Sequence, residues 1–122
     1  MAKYKAVYTD QHTIPVGPER EILAEVEAEL IVAECRSEED TVRAAAGADA
    51  VLNNSAKLTS RVIESLKDCL VIARYGIGVD NVDIAAATAQ GIIVCNVPDF
   101  CFEEVSDTTM SLILATTRKV CQ

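Results

Sequence analysis

Several things are scarce in this sequence, and each scarcity removes a class of function. There is one histidine and no Cys-x-x-Cys pair, so a cysteine–histidine zinc site is not expected. No apolar run approaches the roughly 20 residues of a membrane span. The opening "MAKYKAVYTD" has two lysines but no long apolar segment behind them, so it does not read as a secretory signal. There is no Walker lysine motif, no low-complexity or proline-rich tract and no internal repeat. Basic residues are outnumbered: 11 Lys and Arg face 19 Asp and Glu, for a formal charge of −8. Phosphate backbones and anionic membranes need a basic face, so neither nucleic acid nor membrane is expected as a partner. A cytoplasmic location is the resulting expectation.

What is present is enough apolar material, 50 % of 122 residues, for the core of one domain. The five cysteines (Cys35, Cys69, Cys95, Cys101 and Cys121) are odd in number, and most lie in or beside apolar runs. They are expected as free thiols in a reducing compartment. Much of the acid sits in "PEREILAEVEAEL", where Glu19, Glu21, Glu25, Glu27 and Glu29 read as the solvated side of a helix.

The chain alternates. Short β-branched runs are "KAVYTD", "LIVAEC", "ADAVLNN", "CLVIARYG" and "GIIVCNVP". Segments with helical spacing separate them. Pro18 suits a first helical position, with Ile22, Val26 and Leu30 on one face. Ser37 and Asp40 form a candidate capping box for a second helix that Gly47 stops, with Val42 and Ala46 facing inward. Thr59 or Ser60 caps a third, whose apolar side is Val62, Ile63 and Leu66. Asp80 or Asn81 caps a fourth, which Gly91 ends. The last helix has Glu103, Glu104 and Asp107 near its start and Arg118 and Lys119 near its end, in the sense that complements the macrodipole. Its apolar or semi-apolar face reads Phe102, Val105, Thr109, Leu112, Thr116 and Val120. Five strands alternating with five helices predict an α/β, doubly wound parallel sheet. Ligands of such sheets bind outside the carboxyl ends of the strands, here the loops at 10–13, 53–57, 75–81 and 96–100.

One of those loops, "ARYGIGVDNVD", stands out. Gly76 and Gly78 match the first two glycines of a G-x-G-x-x-G dinucleotide fingerprint, but Asn81 takes the third position and the loop follows the fourth strand rather than the first. A nucleotide cradle is therefore not favoured. Two readings remain from the residues alone. The amides of Gly76, Ile77, Gly78 and Val79 could form an anion nest for a small carboxylate, helped by a helix starting near Asn81. Alternatively, this is a tight strand-to-helix turn in which Asp80 and Asn81 cap.

The run "ARYGIGVDNVDIAAATAQGIIVCNVPDFCFEEVSDTTMSLILATTRKV" resembles the D-isomer-specific 2-hydroxyacid dehydrogenases. The shared features are G-x-G-x-D-N-x-D, a small-residue helix, G-I-x-V-x-N-V-P and E-E-V-x-D. Weaker likeness reaches back through "ADAVLNNSAKLT". The resemblance implies a flavodoxin-like, substrate-binding domain over residues 1–100. Residues 101–122 would form a crossover helix leading to a Rossmann domain for NAD, with NADP as the alternative. It further implies that Gly76, Ile77, Gly78 and Val79 hold the carboxylate of a small 2-hydroxy or 2-oxo acid by their amides. Asn53 and Asn54 would face the other end of the substrate, and Asn96 and Pro98 belong to the hinge. No catalytic residue and no bound cofactor are expected on this chain, because the family's arginine, glutamate, histidine and nucleotide fingerprint belong to the other domain. In the phosphoglycerate branch a basic residue is expected near Asn53; the sequence places none there. A non-enzymatic, corepressor-like binding module of the same family is the alternative function. The apolar face of the last helix, if bare, favours a homo-oligomer, a dimer at its simplest.

Four other candidates weigh less. His12 is a lone histidine in a polar loop with no nucleophile beside it. Asp10 ends a strand like a phospho-acceptor, without the acidic cluster and the lysine that such sites need. The Cys101 thiolate is disfavoured by Asp99, Glu103 and Glu104. Glu103 and Glu104 suit the first turn of a helix.

Overall fold

The computed structural model describes residues 2–10 and 15–120. His12 and Cys121 lie outside them, as does loop 10–13 beyond Asp10. Ten elements alternate along the chain: β1 (Tyr4–Tyr8), α1 (Gly17–Glu25), β2 (Ala28–Val32), α2 (Glu38–Ala44), β3 (Ala50–Asn53), α3 (Ser60–Ser65), β4 (Val71–Arg74), α4 (Ile84–Ala89), β5 (Ile93–Cys95) and α5 (Phe102–Thr117). The strands form one sheet in the order β2-β1-β3-β4-β5, and every pairing is parallel. This is the doubly wound α/β plan. Its order reverses between β1 and β3, the usual ligand position in such sheets.

Period-two alternation divides the strands between two faces. Val7, Val51 and Ile72 are wholly buried with Ala45, Val62, Ile63, Leu66 and Ala87 of the α2–α4 side. Ala6, Tyr8 and Leu30 face the other way, where Leu23 of α1 and Tyr75 pack on them. The Ser37–Asp40 capping box is present, with the Asp40 amide donating to Ser37 Oγ at 3.2 Å and the Ser37 amide to Asp40 Oδ2 at 3.1 Å. Gly47 and Gly91 follow their helices with φ of 64° and 72°, conformations that glycine adopts without steric cost.

Four expectations are corrected. The first helix ends at Glu25 and Glu27 turns with φ 58°, so Leu30 belongs to β2 rather than to that helix's inner face. Ile22 and Val26 are exposed, and Leu23 makes the contact with the sheet. Thr59 precedes α3 but its side chain caps nothing; its hydroxyl donates to Glu38 Oε1 on α2. The cap of α4 is Asp83, whose carboxylate accepts the Ala86 N–H at 2.9 Å, not Asp80 or Asn81. The thiols vary in exposure: Cys69 is buried, Cys35 and Cys101 are half-buried and Cys95 is exposed, all four unpaired. Burial pushes the Cys35 and Cys69 thiols above the ordinary range.

Candidate functional site

The glycine turn leaves β4 at the carboxyl edge of the sheet. Its carbonyls are engaged. Gly76 O accepts the Val97 N–H at 3.0 Å, Ile77 O accepts Asn96 Nδ2 at 2.7 Å and Val79 O accepts the Val82 N–H at 3.0 Å. Its amides are not: among the described residues, the N–H groups of Gly76, Ile77, Gly78 and Val79 donate no hydrogen bond. Ile77 and Gly78 are exposed, while Gly76 and Val79 are half-buried. Gly76 has φ 126°, and a Cβ there would collide with the Arg74 guanidinium. The backbone conformation is what favours glycine there, since the guanidinium is the end of a flexible side chain and can swing aside. The positive end of α4 does not contribute as the sequence suggests, because that helix begins at Ile84 and has six residues.

A cleft of ≈ 250 Å³ lies against this turn, lined by Asn54, Ser55, Arg74, Gly78, Asp80 and Asn81. Of the two asparagines expected to face a ligand, Asn54 lines this cleft and Asn53 does not. Asn53 is fully buried, and its side chain is spent inside the protein. Its Nδ2 donates to Thr9 Oγ1 at 3.1 Å and Ala56 O at 2.9 Å, while its Oδ1 accepts from Asn81 Nδ2 at 2.7 Å. Asn54 is half-buried and lines the cleft. Asn96 and Pro98 are exposed at the outlet of β5, and Asn96 ties that outlet to the glycine turn.

Three residues matter here that sequence reasoning passed over or read otherwise. Arg74 is the ladder partner of Asn53. It brings to this loop the basic group that the sequence does not show near Asn53, because a parallel register places it on the neighbouring strand. Its Nη1 donates to Tyr75 O, its Nε is buried without a partner, and no ion pair engages it among the described residues. Asn81 is a strut rather than a cap: its Nδ2 reaches Asn53 Oδ1, Asn54 O (3.1 Å) and Ala56 O (3.0 Å). Asp10 accepts three amides of the 54–56 loop, which leaves its carboxylate in a structural role rather than exposed as an acceptor of phosphoryl groups. Desolvation works to raise its pKa, but the hydrogen bonds from Asn54, Thr9 and Ser55 outweigh it and hold the carboxyl below its ordinary value.

On the opposite face Tyr75 donates to Glu19 Oε1 at 2.8 Å and stacks obliquely on Tyr8. Burial first, then Glu19, pushes its phenol well above the usual range. A larger cleft of ≈ 430 Å³ lies beside Asp10, Cys35, Arg36, Glu38 and Lys57, away from the glycine turn. The smaller cleft is the better candidate because Gly78 of the turn and Arg74 both line it. Among the described residues no group of three or more His, Cys, Asp or Glu is placed to hold a metal, and no helix is long and apolar enough to cross a membrane. A dinucleotide does not fit the turn: the third fingerprint position is Asn81, pinned to the 53–56 loop, and a six-residue helix starts three residues later.

The model of the D-isomer specific 2-hydroxyacid dehydrogenase catalytic domain matches residues 9–121. The chain is 42 % identical over 102 residues to the D-3-phosphoglycerate dehydrogenase of Methanocaldococcus jannaschii, covering 83 % of this chain and 19 % of that protein. It is 45 % identical over 65 residues to C-terminal-binding protein 1 of Caenorhabditis elegans, covering 53 % and 9 %. The structure of NAD+-bound 3-phosphoglycerate dehydrogenase from Entamoeba histolytica superimposes with a TM-score of 0.85 at 27 % identity, covering 99 % of this chain and 41 % of that one. With its glycine turn, its parallel five-stranded sheet and a match over nearly all its residues, the chain belongs to the D-isomer specific 2-hydroxyacid dehydrogenase family.

Proposed function

We propose that this chain is the substrate-binding part of an NAD-dependent D-2-hydroxyacid dehydrogenase, and that it holds a small 2-oxo or 2-hydroxy acid at the glycine turn. The observation that carries the reading is the asymmetry of residues 76–79, whose amides are free while three of their carbonyls are engaged. Amides held in this way already present their dipoles to an anion and lose little freedom when it arrives. Arg74 adds a fixed positive charge to the same cleft. Asn54 offers a polar side chain to the far end of the ligand, and Asn53 shapes the loop from beneath. Residues 1–100 form the binding unit, with Asn96 and Pro98 at the hinge from which α5 leaves.

A nicotinamide cofactor supplies hydride chemistry in such enzymes. The described residues do not cradle one, so no hydride step is assigned to this chain and it is expected to be inactive alone. The setting is cytoplasmic, and the exposed apolar side of α5 favours a homo-oligomer.

The test is an NMR titration of the 122-residue chain with pyruvate. Shifts should cluster at the amides of Gly76, Ile77, Gly78 and Val79. Shifts confined to the sheet's far edge, or none at these four, would refute the reading. NADH oxidation by the chain with pyruvate would overturn the expected inactivity. The likeness to a C-terminal-binding protein supports a second reading, a corepressor-like module. Binding of short apolar peptides in preference to pyruvate would favour it.

A further inference from the structure

The fork between β1 and β3 is where a sheet of this order ordinarily receives its ligand. In this chain the fork already contains a carboxylate. Asp10 follows β1 and is 2 % exposed. Its Oδ1 accepts the N–H groups of Ser55 at 2.8 Å and Ala56 at 3.1 Å. Its Oδ2 accepts the N–H of Asn54 at 2.9 Å and the hydroxyl of Thr9 at 2.7 Å. Three successive backbone amides converging on one anion is the arrangement by which loops capture free anions. Here the anion is a side chain from the adjacent strand.

The same loop is gripped from its other side. Asn81 Nδ2 donates to the carbonyls of Asn54 and Ala56 and to Asn53 Oδ1, and Asn81 lies two residues beyond Val79. A path of hydrogen bonds therefore runs from Asp10 through residues 54–56 to Asn81, which the chain itself joins to the end of the glycine turn. Asn54 and Ser55, which the Asp10 carboxylate holds by their amides, are also walls of the cleft.

We infer that Asp10 is a positioning residue: its carboxylate fills the anion nest of the 54–56 loop in place of a ligand, and thereby sets the cleft beside the glycine turn. The inference rests on the proposed function only for what the cleft binds; the seating of Asp10 is independent of it. A merely structural aspartate would change stability without changing the cleft, and an exogenous anion would have nowhere to go when it is removed.

The experiment uses the 122-residue chain with formate as a substitute carboxylate and pyruvate as the cleft probe. In Asp10→Ala, hydrogen exchange at the amides of Asn54, Ser55 and Ala56 should accelerate by about tenfold or more. The pyruvate concentration that half-saturates the shifts at residues 76–79 should rise by about fivefold, the counterpart of losing a hydrogen bond's net contribution. Formate in the tens of millimolar should restore the protection of Asn54, Ser55 and Ala56, chloride at equal ionic strength should not, and in the wild type, where Asp10 already fills the nest, these three amides should respond to neither. Unchanged pyruvate affinity in Asp10→Ala would overturn the positioning role. Lost protection at 54–56 that formate cannot restore, with the β-sheet amides still protected, would overturn the nest. If the wild type takes up no pyruvate, the proposed function fails, yet formate recovery of the loop amides still decides where Asp10 acts. Should Asp10→Ala not fold, the isosteric Asp10→Asn serves: it retains one acceptor oxygen, and weakened pyruvate binding supports the role while unchanged binding overturns it.

Discussion

The two faces of the sheet are built to different standards. The face under α2, α3 and α4 is a closed core, in which Val7, Val51, Val62, Ile63 and Ile72 are wholly excluded from solvent. The opposite face has α1 alone, a helix with no buried residue, over a small cluster of Ala6, Tyr8 and Leu30. Beyond α1 the strands go uncovered, and Leu70 and Ile93 are each 64 % exposed. α5 does not cover them: apart from half-buried Cys101 and Ala115, residues 101–120 are exposed, including Phe102, Val105, Leu112, Ile113 and Leu114. A parallel sheet normally buries both faces, so stability in this chain is concentrated on one side, and the candidate site draws its rigidity from that side. Asn53 and Arg74 share a strand face with Val51 and Ile72.

The largest expected effect tests that imbalance directly. Ile72→Ala should cost about 3 kcal/mol by cavity formation, whereas Ile93→Ala on the open face should stay within about 0.5 kcal/mol. Urea unfolding of both variants measures the difference, and equal costs would erase the distinction between faces. Next comes the polar counterpart. Asn81→Ala strands the buried Asn53 Oδ1 and removes the side-chain donor of the Asn54 carbonyl, and should cost about 2 kcal/mol. Tyr75→Phe removes the single bond to Glu19 on the thin face and should cost about 1 kcal/mol. Thermal unfolding of the pair ranks them.

Acid sharpens the comparison further. The hydrogen bonds on Asp10 depress its pKa in the folded state, so its contribution is present above the unfolded value near 3.9. It is lost as pH falls through the lower folded-state value. Acid titration should therefore loosen the amides of 54–56 in that range in the wild type, and Asp10→Asn should lack this pH dependence. The smallest effect on stability belongs to α5. Leu112→Gln combined with Ile113→Lys should leave stability unchanged within about 0.5 kcal/mol while reducing self-association by light scattering. An equal loss of stability would mean that the helix packs on its own sheet.

Sequence patterning conveyed the alternation of strands and helices because the strands are continuous apolar, β-branched runs, including on the face that is left uncovered beyond α1. Ser37 and Asp40 were legible as a capping box because the motif is local. The errors arose where local patterns competed. Ile22, Val26 and Leu30 share helical spacing, but a left-handed Glu27 ends the helix between the second and third. Asp80, Asn81 and Asp83 are all capping residues by type, and only tertiary contacts decide that Asp83 caps while Asn81 braces. The Gly76 and Gly78 turn was visible in one dimension. Arg74 and Asp10 as members of the site were not, since one arrives through strand register and the other across 44 residues of chain.

The two hydrogen bonds from the β5 outlet to the glycine turn, Val97 N–H to Gly76 O and Asn96 Nδ2 to Ile77 O, have a mechanical consequence. Residues 96 and 97 are the root of the segment from which α5 departs. The helix is thus a lever whose fulcrum is stitched to the glycine turn. A torque on α5 that reaches residues 96 and 97 loads those two stitches, and through them the backbone of Gly76 and Ile77.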